Sequence, residues 1–560
     1  MMSRLTGKPV LILKEGSKRI SEQDALRVNI TAARTLANAV KSTLGPKGMD
    51  KMLVDRLGGI VITNDGATIL EEMDVQHPAA KMMVEIARAQ DDEVGDGTTT
   101  AVIIAGELLR RAEFLLDLKL HPTIITRGFK KGLKKVKEIL ESLSIKVNID
   151  TDVQILKQAA MTALNSKSVS GVKELFADIC VKAANQVKEL RSNKIFVDIE
   201  RIQIKKRQGK SLSDSELIDG IIFQEEIVHP MMSKKVEDAR ICIIDLPLEL
   251  EKTKFDAELR FTDPLQMKKY HMEEEEILKH YIQKIKEADA NVVFSKKGIN
   301  DIAQHYLISN NIIGVRRIKK KELETLAKAT GARIVSNIED LSKDDIGQAS
   351  IVEENLVGNK KMIFIKGCKD PKAVSILLRG GVDNLIDEAE RALNDALCVV
   401  RDILYENKVV IGGGAIEVEI AKLLRDYASS IGDKEQLTIE ILADSIEMIP
   451  KILAQNAGFD PIDKILQLRA IHSQEFNRYY GINVFNGKIE DMKENGVIEP
   501  YSVKMQEIKS AVEAASMILR IDDVVAAKLI SPEAKAGMPT GTLSGMGGMP
   551  PGMGGMPPGM

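Results

Sequence analysis

The sequence predicts a multidomain protein of α+β and α/β parts, with a mainly helical body interrupted by a sheet-containing insertion. Three observations predict it. At 560 residues the chain exceeds what one hydrophobic core supports, so about three or four domains are expected. Apolar residues recur at helical spacing through most of the stretch up to about residue 145, and again after about residue 385. Between them, short apolar runs at Ile241–Ile244, Val292–Phe294, Ile312–Val315, Ile334–Val335 and Met362–Ile365 alternate with helical stretches. That alternation is the pattern of an α/β domain with a mainly parallel sheet. The order helical, α/β, helical implies that one domain is inserted into another.

Taken in order, the first helix has a capping-box-like start at Ser21 and Asp24. Its apolar stripe is Leu26, Ile30, Ala33, Ala37, Val40 and Leu44, and it stops at Gly45-Pro46. Leu53–Asp55 and Ile60–Thr63, separated by Gly58-Gly59, predict a short hairpin that delivers Asn64-Asp65-Gly66 at its end. Gly95-Asp96-Gly97-Thr98-Thr99-Thr100 then precedes the apolar helical run Ala101–Leu109. This hexapeptide joins an acidic group, a permissive backbone and three hydroxyls. Glycine lets backbone N–H groups approach an oxyanion, the helix start adds unpaired N–H groups, and an aspartate is a hard oxygen ligand of the kind magnesium takes. The same residue types also serve ordinary turns and helix caps.

Inside the α/β region, Leu246–Lys286 mixes apolar residues with crowded Lys, Glu and Asp, and Glu273–Glu276 begin a charged helix. It reads either as a solvated helical hairpin or as a projecting arm with an apolar tip. Asp395 falls on a helix whose apolar stripe is Ile386, Ala389, Leu393, Ala396, Val400 and Ile403, so spacing places it on a solvated face with Glu388, Arg391 and Asp402. Gly412-Gly413-Gly414-Ala415 precedes a helical pattern over Glu417–Leu424. Neither this loop nor Leu44-Gly45-Pro46-Lys47-Gly48 is a Walker A loop or a GxGxxG turn. From Gly537 to Met560 the chain is almost only Gly, Met and Pro and ends in two copies of GGMPPGM, a composition that cannot offset its ordering entropy.

Composition narrows the function. Charged residues at 29% with a net charge of only -3 argue against a nucleic-acid partner or a membrane surface. No apolar run approaches the roughly 20 residues of a membrane span. The run Val10–Leu13 is far shorter than a signal-peptide core, so a cytoplasmic location is expected. Cys180, Cys242, Cys368 and Cys398 lie far apart and fit buried thiols better than a disulfide frame or a zinc site. The seven histidines, His77 and His121 among them, adjoin proline or lie on polar stretches and read as surface or loop residues.

The ordered set Leu44–Lys51, Thr63-Asn64-Asp65-Gly66-Ala67-Thr68, Gly95–Thr100, Arg379-Gly380-Gly381 and Gly412–Ala415, extended by Asn456–Pro461 and Gly496–Pro500, resembles the group II chaperonin family along essentially the whole chain. The Gly-Met-rich tail makes it more similar to archaeal thermosome subunits than to eukaryotic cytosolic ones. The resemblance implies a mainly helical equatorial ATPase domain (1–148 and 403–535), a small intermediate domain (149–218 and 370–402) and an α/β apical domain (219–369). It also implies a helical lid protrusion at about 246–280 and a disordered tail at 536–560. It implies binding of ATP or ADP with Mg2+, the metal held by Asp96. Leu44, Gly45, Pro46, Gly97, Thr98, Thr99 and Thr100 would bind the nucleotide, with Lys167 near the γ-phosphate and Gly413, Gly414 and Glu499 near the ribose and base. Asp395, assisted by Asp65, would position or deprotonate the attacking water.

The function so implied is an ATP-driven chaperone of two stacked rings, built from copies of itself or of paralogous subunits, that encloses unfolded or partly folded clients. Phosphoryl transfer needs positioning and charge neutralisation more than covalent help, so a water aligned by a mobile domain would tie hydrolysis to closure. Two alternatives stand beside it: a nucleotide-binding ring scaffold without turnover, and an ATP-dependent metabolic enzyme. No further His, Cys or Lys constellation for a second small substrate accompanies the aspartates.

Overall fold

A computed structural model of the chain describes residues 18–526, apart from 56, 150, 168, 192–193, 250–263, 369–372 and 475. The run Val10–Leu13, the apolar tip expected within 246–280 and the tail from 536 onward lie outside the described residues. The chain divides into two compact units, one made of its two ends and one of residues 27–520. In the first, the strands Lys18–Ser21 and Asp523–Ala526 pair antiparallel, Lys18 opposite Ala526 and Ser21 opposite Asp523. Among the described residues no helix is long and apolar enough to cross a membrane.

In the second unit, the helical part is organised around the helix Thr98–Asp117. Ala101, Val102, Ile103, Ile104, Ala105, Leu108 and Leu109 are all buried, so this helix has no solvated face over its first three turns and sits among Pro78–Val94, Pro122–Leu143, Glu435–Ile446 and Tyr501–Ile518. The first helix runs Glu22–Val40 and passes into a tight turn at Lys41–Thr43, so Leu44 lies beyond it in extended backbone. The hairpin forms, with a first strand that starts two residues earlier than expected and stops before Asp55: Lys51–Val54 pairs antiparallel with Ile60–Thr63, Lys51 opposite Thr63.

A second core joins the helices Val153–Asn165, Lys173–Val187 and Asp383–Glu406 to a three-stranded sheet. In that sheet Val374–Gly380 lies parallel to Ile202–Gln208 and antiparallel to Glu216–Ile218. A third core fills the α/β region, where the sheet corrects the mainly parallel expectation. Ile313–Val315, Val292–Ser295, Lys235–Ile244 and Ile334–Val335 are joined by parallel pairings, but Lys235–Ile244 then meets Gly347–Val357 antiparallel. Lys360–Cys368 and Gly220–Phe223 continue that antiparallel half. The run Met362–Ile365 belongs to a long hairpin closed by Gly358-Asn359, and Gly358 adopts the φ of +64° that such a turn needs.

The segment from 246 to 286 is described only at its two ends, and one further reading is corrected here. Leu246 and Leu248 are buried in this core, as are Leu278, Ile282 and Ile285 on the helix Pro264–Glu287, so both ends of the segment read as a hairpin or arm are anchored inside. His77 and His121 do cap helices, Pro78–Val94 and Pro122–Leu143, but His472 is only 1% exposed. Its Nδ1 lies 2.7 Å from Glu419 Oε2 and its Nε2 2.8 Å from the Tyr480 carbonyl, partners distant in sequence that satisfy both ring nitrogens. Cys180, Cys242 and Cys398 are buried and Cys368 is half-buried.

Candidate active site

The Gly95–Thr100 hexapeptide forms a two-glycine corner. Gly95 ends the helix Pro78–Val94 at φ +69°, donating its N–H to the Asp91 carbonyl at 2.8 Å, and Gly97 starts the helix Thr98–Asp117 at φ +79°. Both positions favour glycine by backbone, and both are crowded: a Cβ would overlap Cys398 at Gly95 and Glu507 at Gly97. No side chain caps the Thr98–Asp117 helix, so its first N–H groups remain available to an anion. Asp96 lies between the glycines, and its Oδ1 accepts the Gly97 N–H at 2.7 Å.

Asp65 ties this corner to the hairpin. It caps the helix Gly66–Glu72, its Oδ2 accepting from Thr68 N and Thr68 Oγ1 at 2.8 Å each, while its Oδ1 accepts from Thr98 Oγ1 at 3.1 Å. Asp395 reaches the same place from the helix Asp383–Glu406 and forms an ion pair with Lys167. Its burial corrects the solvated-face expectation: Asp395 is 8% exposed, and Glu388 and Asp402 are buried as well. This helix is packed on more than one side, by the Val153–Asn165 and Lys173–Val187 helices and by Ile202–Gln208 and Val374–Gly380, whereas stripe reasoning assumes one buried face.

The charges converge on one ammonium. Burial pushes the Lys167 amine down, but Asp395, Asp65 and Asp96 together outweigh it and hold the group protonated, above its ordinary value. For Asp395 burial dominates and raises its carboxyl well above the carboxylate range, with Lys167 opposing. Burial also raises Asp96, against Lys167 and the Gly97 N–H. At Asp65 burial is outweighed by Lys167 and by the Thr68 and Thr98 hydrogen bonds, so its carboxyl is lowered.

A cavity of about 390 Å³ adjoins this cluster. Leu44, Gly45 and Pro46 line one side, Asp96, Gly97 and Thr100 another, and Gly413, Gly414 and Glu499 a third. Asn456 Nδ2 holds the first turn, donating to the Lys41 and Leu44 carbonyls at 3.0 and 2.9 Å. Gly413 and Gly414 adopt φ of +69° and +84° before the helix Ala415–Ser429. Asp65 and Asp395 face a second cavity, of about 640 Å³. Thr98 and Lys167 line neither cavity and are buried, Thr98 bonded to Asp65 and Lys167 to Asp395; Thr99 is half-buried, its hydroxyl against Gly66. Asp395 thus pairs directly with Lys167, Asp65 and Asp96 act on the same ammonium through their charge, and the three aspartates face two cavities.

The donor set fits magnesium. Among the described residues no group of three or more His, Cys, Asp or Glu is arranged to hold a metal ion. Magnesium needs none, since it commonly takes one or two carboxylates with substrate phosphates and water, and Asp96, which lines the cavity beside an uncapped helix start, is a carboxylate that could serve such an ion.

Several cavity residues escaped sequence reasoning. Ile482, Phe485 and Met492 give it an apolar wall, and Glu417, Lys504 and Glu507 line it with buried charge. Glu417 follows the glycine loop closely enough to have been noticed. Lys504 and Glu507 look like an ordinary i,i+3 surface pair, and nothing local distinguishes them.

The model of the TCP-1/cpn60 chaperonin family matches residues 36–529. The chain is 54% identical to thermosome subunit beta of Sulfurisphaera tokodaii over 531 residues, 95% of this chain and 96% of that one. It is 52% identical to the thermosome subunit of Pyrococcus horikoshii over 95% of this chain and 96% of that one. With the thermosome subunit of Methanopyrus kandleri it shares 52% identity over 94% and 96%. A family model matching most of the chain and relatives more than 50% identical along nearly its whole length lead to one assignment: the chain belongs to the TCP-1/cpn60 chaperonin family.

Proposed function

We propose that the chain is a subunit of a cytoplasmic, ATP-driven folding chaperone, assembled from copies of itself or of paralogous subunits into two stacked rings that enclose unfolded clients. The observation that carries the ATPase part is the gathering of Asp65, Asp96 and Asp395 around Lys167, beside a cavity floored by an uncapped helix start. In this reading residues 1–148 and 403–535 form the ATPase domain, 149–218 and 370–402 the intermediate domain, and 219–369 the apical domain.

Asp96 would hold magnesium, and a bound magnesium ion supplies neutralisation of phosphate charge. The N–H groups at Thr98–Thr100 would receive phosphate oxygens, and Leu44–Pro46 with Gly413, Gly414 and Glu499 would bound the nucleoside. Asp395 would accept the proton of the attacking water, with Asp65 orienting it. Lys167 links the two ends of the site. A phosphate that drew its ammonium away would leave Asp395 as a buried carboxylate without its counter-charge, and so a stronger base. The test is ATP turnover by the purified protein together with particle mass by light scattering. Magnesium-dependent hydrolysis by a large ring particle is expected; a monomer or dimer, or a ring that binds ATP without turning it over, refutes this function.

A further inference from the structure

Lys504 is the most enclosed cation of the cavity wall, and the role proposed above does not use it. It lies in the first turn of the helix Tyr501–Ile518, its side chain 6% exposed, and its ammonium meets three carboxylates: Glu499 Oε2 at 2.7 Å, Glu417 Oε1 at 2.9 Å and Glu507 Oε2 at 3.1 Å. The contact with Glu507 is a hydrogen bond, and the other two carboxylates are ion-paired to the same ammonium. Lys504 is thus turned toward three protein carboxylates. Its work is on the carboxylates.

Those carboxylates brace the two glycine turns that bound the cavity. At Gly97 a Cβ would overlap Glu507 Oε1, and at Gly412 a Cβ would overlap Glu499 Oε1. One oxygen of each glutamate thus lies against a glycine turn and the other pairs with the Lys504 ammonium. The third partner, Glu417, stands in the first turn of the helix that Gly414 opens, and its Oε2 is buried without a hydrogen-bond partner although the residue lines the cavity. The Asp96 corner and the Gly412–Gly414 turn, more than 300 residues apart in sequence, are held in register through a single ammonium.

We propose that Lys504 is a positioning residue for nucleotide recognition: it fixes Glu499 where that carboxylate meets the sugar hydroxyls, and it sets the span between this sugar end and the phosphate end at Gly97. The inference rests on the nucleotide reading above. Three carboxylates facing one buried cation would drift apart or take up protons without it, so the sugar contact would be lost before the cavity itself. Hydrogen bonds to a charged acceptor discriminate by about tenfold or more, so the wild-type protein should bind ADP about tenfold more tightly than 2′-deoxy-ADP.

The experiment is equilibrium titration of the full-length protein with ADP and with 2′-deoxy-ADP, which requires no turnover. In Lys504→Met the ratio of the two dissociation constants is expected to fall to about twofold or less, ADP losing more affinity than its deoxy analogue. A purely structural lysine would weaken both nucleotides alike and keep the wild-type ratio, which overturns the proposal. Should Lys504→Met fail to fold by thermal melting, Lys504→Arg decides. The arginine retains charge but offers a planar fork in place of three converging protons, and it too should narrow the ratio; an unchanged ratio there overturns the proposal. A wild-type protein that binds ADP without discriminating removes the sugar role of Glu499, and one that binds no ADP removes the nucleotide reading. Either result is visible before any Lys504 variant is made.

Discussion

Replacing Asp395 separates chemistry from binding in this site. Asp395→Ala removes the carboxylate that pairs with Lys167, and that carboxylate does not line the 390 Å³ cavity. A general base contributes about 10²–10⁴-fold to a proton-transfer step, equivalent to about 3–5 kcal/mol of barrier. Single-turnover hydrolysis should slow by that factor while ADP affinity stays within about threefold of wild type. Lys167 is left buried at 8% exposure with Asp65 and Asp96 still near, so its charge stays compensated and the chain should still fold, with a loss of about 3 kcal/mol at most. Asp395→Asn preserves the volume and should hydrolyse as slowly, which guards against a packing artefact. Quenched-flow hydrolysis with equilibrium ADP binding reads both quantities. Near-normal turnover in either variant would refute the assignment of Asp395 as the base, and a parallel collapse of ADP affinity would show that Asp395 acts through the shape of the site.

Further predictions follow from the same geometry. Asp96→Ala should weaken magnesium-dependent nucleotide binding, and the difference in affinity with and without magnesium should shrink; an unchanged difference removes Asp96 from the metal shell. Gly97→Ala places a Cβ against Glu507 at φ +79°, a strain of about 1–2 kcal/mol from the backbone alone, so ADP affinity should fall about tenfold or more by titration. Away from the site, burial raises the Glu447 carboxyl, but hydrogen bonds from Arg469 and Arg425 outweigh it and bring it down to about 2. A group depressed on folding stabilises above its unfolded value and loses that stability as pH falls through the folded one. Acid unfolding between about pH 4.5 and 2 should therefore be blunted in Glu447→Gln by up to about 3 kcal/mol, and identical acid-unfolding curves would contradict the pairing.

How far the sequence carried depended on whether a signal was local. The hairpin at Lys51–Thr63 and the glycine corner at Gly95–Gly97 are written in adjacent residues, and both were legible. So was the break from helical to α/β texture. The sheet's antiparallel half was not, because Met362–Ile365 looks the same in either pairing and only the Gly358 turn, judged with both flanking strands, decides it. Asp395 failed a stripe argument because its helix is packed on several sides, a fact that resides in other helices. Lys504 and Glu507 have the spacing of a surface pair, and their burial against Glu417 and Glu499 arises only when distant segments meet. Family resemblance supplied a role for Asp395 that its own surroundings in sequence argued against.

The most direct test of the account is electron cryo-microscopy of the assembled particle with magnesium, ADP and a fluoride mimic of the transferred phosphate. A ring particle is expected, with nucleotide in the 390 Å³ cavity, metal on Asp96, and Asp65 and Asp395 both facing the mimic from the Lys167 side. Nucleotide bound at another place, or a mimic that these two carboxylates do not approach, would contradict it.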